Sequence, residues 1–179
     1  MSIPVLNLAA RPLTILFATE TGHAADLAEA AATLALSMGA AVRLRDLATY
    51  NTAKLAGERD ILAITSTHGE GDPPESAIDF FDFLDESELD LHEVRFAVMA
   101  LGDSGYDEFC GAGKRLDRRL AAMGAARLAP RRDVDVGEMK PAREWLATIV
   151  RRFVEDQGSP RGLAAGIEAG GLAHAAGEP

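Results

Sequence analysis

Short apolar runs alternate with segments of helical periodicity along most of the chain, and this alternation limits the possible folds more than any other feature. Three runs, at residues 13–17, 61–65 and 96–101, are almost free of polar side chains. A strand exposed on one face alternates apolar with polar residues, whereas a continuous run is typical of a parallel strand covered on both faces. Weaker segments at 42–44 and 127–128 bring the predicted strands to five.

The segments between these strands are amphipathic at the period of an α-helix. Apolar side chains share one face in four sets: Leu27, Leu34 and Met38; Ile78, Phe81 and Leu84; Leu116, Leu120 and Met123; and Trp145, Ile149 and Phe153. Alternating β and α units predict an α/β fold, a doubly wound parallel sheet with helices on both faces. Ligands of such sheets bind beyond the carboxyl ends of the strands, so the loops after the first, third and fourth strands form the candidate site.

The first of these loops has the sequence TETGHA, residues 19–24. Threonine hydroxyls can donate to phosphate oxygens, Gly22 permits a close approach of the backbone, and the helix that begins here directs free N–H groups outward. These properties fit a terminal phosphate, and they fit equally well a threonine N-cap that opens an ordinary helix. The loop matches neither the G-x-G-x-x-G pattern nor a P-loop.

The second and third loops are rich in glycine. The second, STHGEGDPP at residues 66–74, can present backbone N–H and C=O groups to a flat polar edge, or it is a plain turn. The third, residues 101–111, contains Tyr106, which either stacks on a planar ligand or lies over the edge of the sheet. Cys110, the single cysteine of the chain, is expected to be a small packing residue.

Together these loops resemble a known family. The segments TETGHA, STHGEGDPPESAIDFFDFL and FAVMALGDSGYDEFCGAGKRLDRRLAAMGA are similar to the FMN-binding, flavodoxin-like domain of diflavin reductases, the family of the sulfite reductase flavoprotein and cytochrome reductase. The resemblance covers residues 13–153, roughly four-fifths of the chain. It implies a flavodoxin-like sheet with strand order 2-1-3-4-5, FMN as the cofactor and electron transfer as the activity.

By this resemblance the first loop wraps the FMN phosphate, the second lines one side of the isoalloxazine ring, and the third covers the other side, where Tyr106 stacks on the flavin. The implied FMN-binding residues are Thr19, Glu20, Thr21, Gly22, His23, Ala24, Ser66, Thr67, His68, Gly69, Leu101, Gly102, Asp103, Ser104, Gly105, Tyr106, Asp107, Glu108, Phe109 and Cys110. The segment RRDVDVGEM resembles the family's acidic loop after the fifth strand, which implies that Asp133 or Asp135 lies near the flavin. Since the cofactor supplies the chemistry, no catalytic residue and no metal site is expected.

Two residues depart from the family pattern. Glu20 stands where glutamine is common and adds a negative charge beside the phosphate, and His68 stands where many relatives have tyrosine or glutamine. His68 either lies against the ring, which would link its titration to the redox state, or is an exposed loop histidine. Both departures support an alternative function, a flavodoxin-like protein–protein interaction module that does not bind flavin. The presence of Tyr106 and of the two glycine-rich loops argues against that alternative.

The formal net charge of −10 is unevenly distributed. Residues 70–108 contain 13 aspartates and glutamates, but Arg95 is the only lysine or arginine in this stretch. This stretch is either an ordinary solvated surface or an acidic face that steers basic-faced redox proteins, a reductase donor and an electron acceptor. In both cases it repels phosphates, which argues against nucleic acid as a ligand.

The chain is expected to divide into an N-terminal extension at 1–12, an FMN-binding domain at 13–156 and a Gly/Ala-rich tail or linker at 157–179. The N-terminus lacks the charge pattern of a signal peptide and no apolar run is long enough to span a membrane, so a cytoplasmic location without membrane contact is expected. We expect an electron carrier between an NAD(P)H-linked reductase and a haem or sulfite-reductase-like enzyme. It would be free-standing or part of a split diflavin reductase.

Overall fold

The computed structural model describes residues 11–157, and the rest of the predicted extension and tail lies outside the described residues. The strands are β1 (Leu13–Ala18), β2 (Val42–Asp46), β3 (Asp60–Ser66), β4 (Arg95–Leu101), β5 (Ala126–Arg127) and β6 (Arg132–Val134). The helices are α1 (His23–Ser37), α2 (Ile78–Glu86), α3 (Gly111–Ala122) and α4 (Met139–Gln157). No helix within residues 11–157 is both long and apolar enough to cross a membrane.

The strands form one parallel sheet in the order β2-β1-β3-β4-β5, which confirms the predicted doubly wound fold and strand order. The fifth strand differs from the prediction because it is broken into β5 and β6, which pair in succession with β4. Phe96 pairs with Arg127 and Met99 pairs with Arg132, so two extra residues bulge out of this edge between the two pieces. The described sheet therefore has six strands instead of five.

Alternate side chains of the central strands enter two separate cores, which explains their continuous apolar sequences. In β3, Leu62 and Ile64 pack against α1 and α4, whereas Ile61 and Ala63 pack against α2 and α3. All four are at most 1% exposed. Since a fully buried aliphatic side chain such as valine or leucine contributes roughly 1.5–3 kcal/mol, both faces of the strand stabilise the fold.

The predicted helical faces are buried or partly buried except at the start of α2, where Ile78 is 41% exposed. The buried face follows the helical spacing of three and four through Ala77, Phe80, Phe81 and Leu84. This spacing turns Ile78 to solvent, although the sequence pattern placed it on one face with Phe81 and Leu84.

A glycine brings α3 into direct contact with β4. A Cβ atom on Gly113 would lie 2.1 Å from the Cβ atom of Ala100 and 2.9 Å from its Cα atom. Ala100 is fully buried in a central strand, so the helix would have to move away from the sheet. Because α3 begins at Gly111, this contact also sets the position of the loop that precedes the helix.

We expect Gly113→Ala to lower the free energy of unfolding by roughly 1–3 kcal/mol, because overpacking exceeds the gain in helix propensity of about 1 kcal/mol. The matched control is Gly57→Ala, where an added Cβ meets nothing within 4 Å and the change should stay below about 0.5 kcal/mol. Urea unfolding of both variants checks this, and equal effects would contradict it.

Candidate functional site

Three strands end at the same level of the sheet and bring three loops to one edge. Ala18 pairs with Thr65, and Ser66 pairs with Leu101, so β1, β3 and β4 end side by side. We call residues 19–24 the first loop, 66–74 the second loop and 101–111 the third loop, and each range includes the strand or helix residues at its ends. Their shared edge is the carboxyl edge of the sheet, where ligands of parallel α/β folds bind.

The first loop leaves the N-terminus of α1 open. Thr19 Oγ1 accepts a hydrogen bond from the backbone N–H of Gly22 at 2.9 Å, and Gly22 has a left-handed φ of 95°. Gly22 is itself the N-cap, with no side chain capping the helix, so the alternative of an ordinary threonine N-cap was wrong. The first helical bond runs from Asp26 N–H to the Gly22 oxygen at 3.0 Å. The N–H groups of residues 23–25 precede it and have no partner among the described residues.

The second loop is a tight hairpin that carries an unpaired buried hydroxyl. His68 N–H donates to the Asp72 oxygen at 2.7 Å, and Asp72 N–H donates back to the His68 oxygen at 2.9 Å. Thr67 Oγ1 is buried and has no hydrogen-bond partner within residues 11–157. A buried hydroxyl without a partner costs about 1–3 kcal/mol, so a ligand that pairs with Thr67 would recover that energy.

The second loop is also bonded to the first. Glu20 N–H donates to Ser66 Oγ at 3.0 Å, and Ser66 Oγ donates to the Ala18 oxygen at 3.3 Å. The Glu20 and His68 side chains approach each other, with 3.5 Å between Oε1 and Nδ1. The first two loops therefore form one connected surface.

The third loop presents a half-exposed aromatic ring. Asp103 shapes the turn, because its Oδ1 accepts from Gly105 N–H at 2.8 Å and its backbone oxygen accepts from Tyr106 N–H at 3.1 Å. Tyr106 is 48% exposed, so much of its ring remains available to a planar ligand. The third loop touches the second, since a Cβ on Gly71 would lie 2.7 Å from the Cβ of Glu108.

Three of the predicted site residues, Ala24, Leu101 and Cys110, have side chains in the core, at most 8% exposed. They can offer a ligand only backbone groups. The Cys110 thiol donates to the Ala100 oxygen at 3.3 Å, and burial raises its pKa to about 11. Cys110 is thus a packing residue at the start of α3, as its sequence context indicates.

The loop after β6 holds the third loop through Asp135. Asp135 Oδ1 accepts from Ser104 N–H at 2.9 Å and from Val136 N–H at 2.7 Å, and Asp135 Oδ2 accepts from the Ser104 hydroxyl. These bonds, the Ser104 hydroxyl first, lower the pKa of Asp135. Asp133 instead pairs with Arg131, at 2.6 Å and 3.1 Å. Of the two aspartates that the sequence left open, Asp135 is the one bonded to the third loop.

Gly71 and Asp72 lie in the second loop but were not among the implied FMN-binding residues. Asp72 closes the hairpin at His68, and Gly71, with φ of 116°, lies against Glu108. The sequence did contain a signal for these two residues. Gly69 and Gly71 are separated by one residue and two prolines follow, a pattern that indicates a compact turn extending beyond residue 69.

The edge is strongly acidic. Every acidic residue within 70–108 is exposed. Four of these carboxylates, Asp82, Asp85, Asp90 and Glu93, have arginine or histidine partners. Six lie in or beside the second and third loops and have no ion-pair partner among the described residues: Glu70, Asp72, Glu75, Asp103, Asp107 and Glu108. No group of three or more His, Cys, Asp or Glu in the described chain could hold a metal ion.

Comparisons with known proteins agree with this geometry. Residues 15–145 match the family model described as Flavodoxin. The alpha-component of the NADPH sulfite reductase flavoprotein is 37% identical over 149 residues in Bacillus subtilis and 39% identical over 150 residues in Neisseria meningitidis. Each alignment covers 83% of this chain and 25% of the relative, so the chain spans about a quarter of the length of these relatives.

Solved structures show the same fold. A flavodoxin of Streptococcus pneumoniae TIGR4 matches with a TM-score of 0.70 at 27% identity, over 78% of this chain and 94% of that chain. Oxidised flavodoxin 1 of Bacillus cereus matches with a TM-score of 0.71 at 23% identity, over 80% of this chain and 97% of that chain.

We expect Asp135→Asn to loosen the third loop, because the amide can replace only part of the hydrogen bonding of the carboxylate to Ser104. The pKa of Asp135 is lowered in the folded chain, so its stabilisation is fully present above the ordinary aspartate pKa of about 3.9 and is lost as pH falls through the lowered value. Amide hydrogen exchange at residues 104–106 should therefore be faster in the variant at neutral pH. A difference that persists unchanged under strongly acidic conditions would contradict this.

Proposed function

Because the chain belongs to the flavodoxin family, we propose that it binds FMN at the carboxyl edge of its sheet and carries electrons between two redox proteins. The donor is a reductase activity that uses NAD(P)H, and the acceptor is a haem protein or a sulfite-reductase-like enzyme. The chain acts either as a separate carrier or as the FMN-binding part of a larger reductase. FMN supplies one- and two-electron chemistry when bound, and the protein binds it, orients it and tunes it.

The phosphate group is assigned to the first loop. The free N–H groups of residues 23–25 point beyond the helix N-terminus, where the helix dipole favours an anion. The observation that carries the assignment of a polar ligand to this edge is the buried, unpaired hydroxyl of Thr67, which requires a polar partner. Hydroxyls and backbone N–H groups together are the donors that a phosphate ester needs.

The flavin ring is assigned to the space between the second and third loops. Tyr106 offers a half-exposed ring for stacking, and Asp135 fixes the loop that carries it. Residues 66–69 line the opposite side. The unpaired carboxylates around this edge oppose additional negative charge on the flavin, which lowers the reduction potential for forming an anionic reduced flavin.

The purified protein should bind FMN tightly enough to retain it after gel filtration, and its absorbance spectrum should then show the two bands of oxidised flavin. Tyr106→Ala should weaken FMN binding by roughly threefold to tenfold, because stacking contributes about 0.5–1.5 kcal/mol. Tyr106→Phe keeps the ring and is the matched control, with affinity close to that of the unchanged protein. A folded, colourless protein that rejects added FMN would overturn the assignment.

The acidic edge should guide a positively charged partner to the flavin. Six carboxylates there lack counter-charges within the described chain, whereas those on α2 that face α3 are neutralised by Arg115 and Arg119. The unpaired negative charge that can attract a basic partner is therefore concentrated at the carboxyl edge, beside the proposed flavin site.

Electron transfer from the reduced protein to a basic haem protein should slow as ionic strength rises, because salt screens attraction between exposed opposite charges. Stopped-flow measurements at low salt should show a several-fold slower reaction for Asp107→Lys. The matched control is Glu86→Lys, an equal charge reversal at the C-terminal end of α2, far from the carboxyl edge. Equal losses in both variants would show that only total charge matters.

A further inference from the structure

Two ionisable side chains meet beside the assigned phosphate site. Glu20 of the first loop and His68 of the second are 3.5 Å apart, and their side chains are 36% and 60% exposed. The backbone of Glu20 is fixed independently, because its N–H donates to Ser66 Oγ at 3.0 Å. His68 is fixed by its two backbone bonds to Asp72. The pair is therefore held together by the backbone of both loops.

The Glu20 carboxylate poses an electrostatic problem for an anionic ligand. It belongs to the loop whose free N–H groups are assigned to the phosphate, and like charges a few ångströms apart repel. Within residues 11–157 no lysine or arginine forms an ion pair with Glu20, and His68, which is cationic only when protonated, is its one side-chain partner in an ion pair. His68 is faced by Glu20 from the first loop, and it pairs through its backbone with Asp72 across the hairpin.

We propose that protonated His68 offsets the charge of Glu20, so that the affinity of this chain for the phosphate of its flavin falls as pH rises and His68 loses its proton. The inference rests on the proposed function. It adds that Glu20 and His68 together make the retention of FMN depend on pH. By linkage, binding of the phosphate takes up protons at a pH where free His68 is partly neutral.

Two features of the ligand help to isolate the effect. The phosphate of FMN has its own second ionisation near pH 6, which strengthens binding as pH rises and so opposes the proposed trend. Riboflavin has the same ring without the phosphate, so any effect of His68 on the ring is shared by both ligands. The ratio of the riboflavin Kd to the FMN Kd therefore reports the phosphate alone.

The experiment measures both Kd values by quenching of flavin fluorescence, from about pH 6.5 to about pH 8.5, the upper part of the histidine titration range and beyond. For the unchanged protein the ratio should fall by roughly threefold to tenfold across this range, as expected for exposed charges a few ångströms apart. Calorimetry of FMN binding in two buffers of different ionisation enthalpy should show proton uptake near neutral pH.

Four variants give the matched comparisons. Glu20→Gln removes the repulsion and should raise the ratio at every pH while the fall with pH remains, whereas His68→Gln should give a low ratio that does not fall with pH. His68→Lys stays charged throughout the range and should give a high, flat ratio. His92→Gln is the control, because His92 is equally exposed and pairs with Asp90 at 2.7 Å, but lies before β4 at the opposite end of the sheet.

The outcomes separate this inference from the proposed function. If neither flavin binds to the folded protein, the proposed function fails. If FMN binds but the ratio changes with pH equally in the unchanged protein and in His68→Gln, or if Glu20→Gln leaves the ratio unchanged at every pH, the pair has no such role and the inference is overturned. A fall in the ratio that disappears in His68→Gln, persists in His92→Gln and persists at a higher level in Glu20→Gln supports it.

Discussion

Burial of the central strands on both faces is the constraint on which the rest of the structure depends. Because alternate residues of β1, β3 and β4 enter one core or the other, these strands have almost no position for a functional side chain. Chemistry is thereby confined to the points where the strands end. The parallel register brings Ala18, Ser66 and Leu101 to one level, so three loops that are distant in sequence become neighbours. The site follows from how the sheet is buried.

The same constraint decides how much of the fold could be read from the sequence. Strands with continuous apolar runs were predicted to within two residues at each end, because no other element of that length requires such composition. The fifth strand was predicted poorly. It lies at the edge, its two pieces have two and three residues, and three of the five side chains are charged. These residues are extended because they pair with β4, and no local sequence pattern predicts that pairing.

The candidate site divides in a similar way. Its loops could be found from the strand ends and from glycine spacing, since both are local signals. Contacts between loops could not, because Ser104 and Asp135 are 31 residues apart and Glu20 and Ser66 are 46 apart. The buried Thr67 hydroxyl also has no sequence signature, because burial of one atom depends on the surrounding loops. The sequence thus indicates which segments meet, and tertiary packing decides which atoms bond.

The proposed function as an electron carrier places two opposing electrostatic requirements on one edge of the sheet. A phosphate needs positive potential, whereas attraction of a basic partner needs negative potential. The three loops contain no lysine or arginine, so the proposed phosphate site relies on backbone N–H groups, hydroxyls and the dipole of α1, whose effect is short-ranged. A lysine at position 68 would meet the first requirement at the expense of the second, because its charge would persist at every physiological pH. A histidine is charged only when protonated, so it favours the phosphate at lower pH while leaving most of the acidic edge available to the proposed partner.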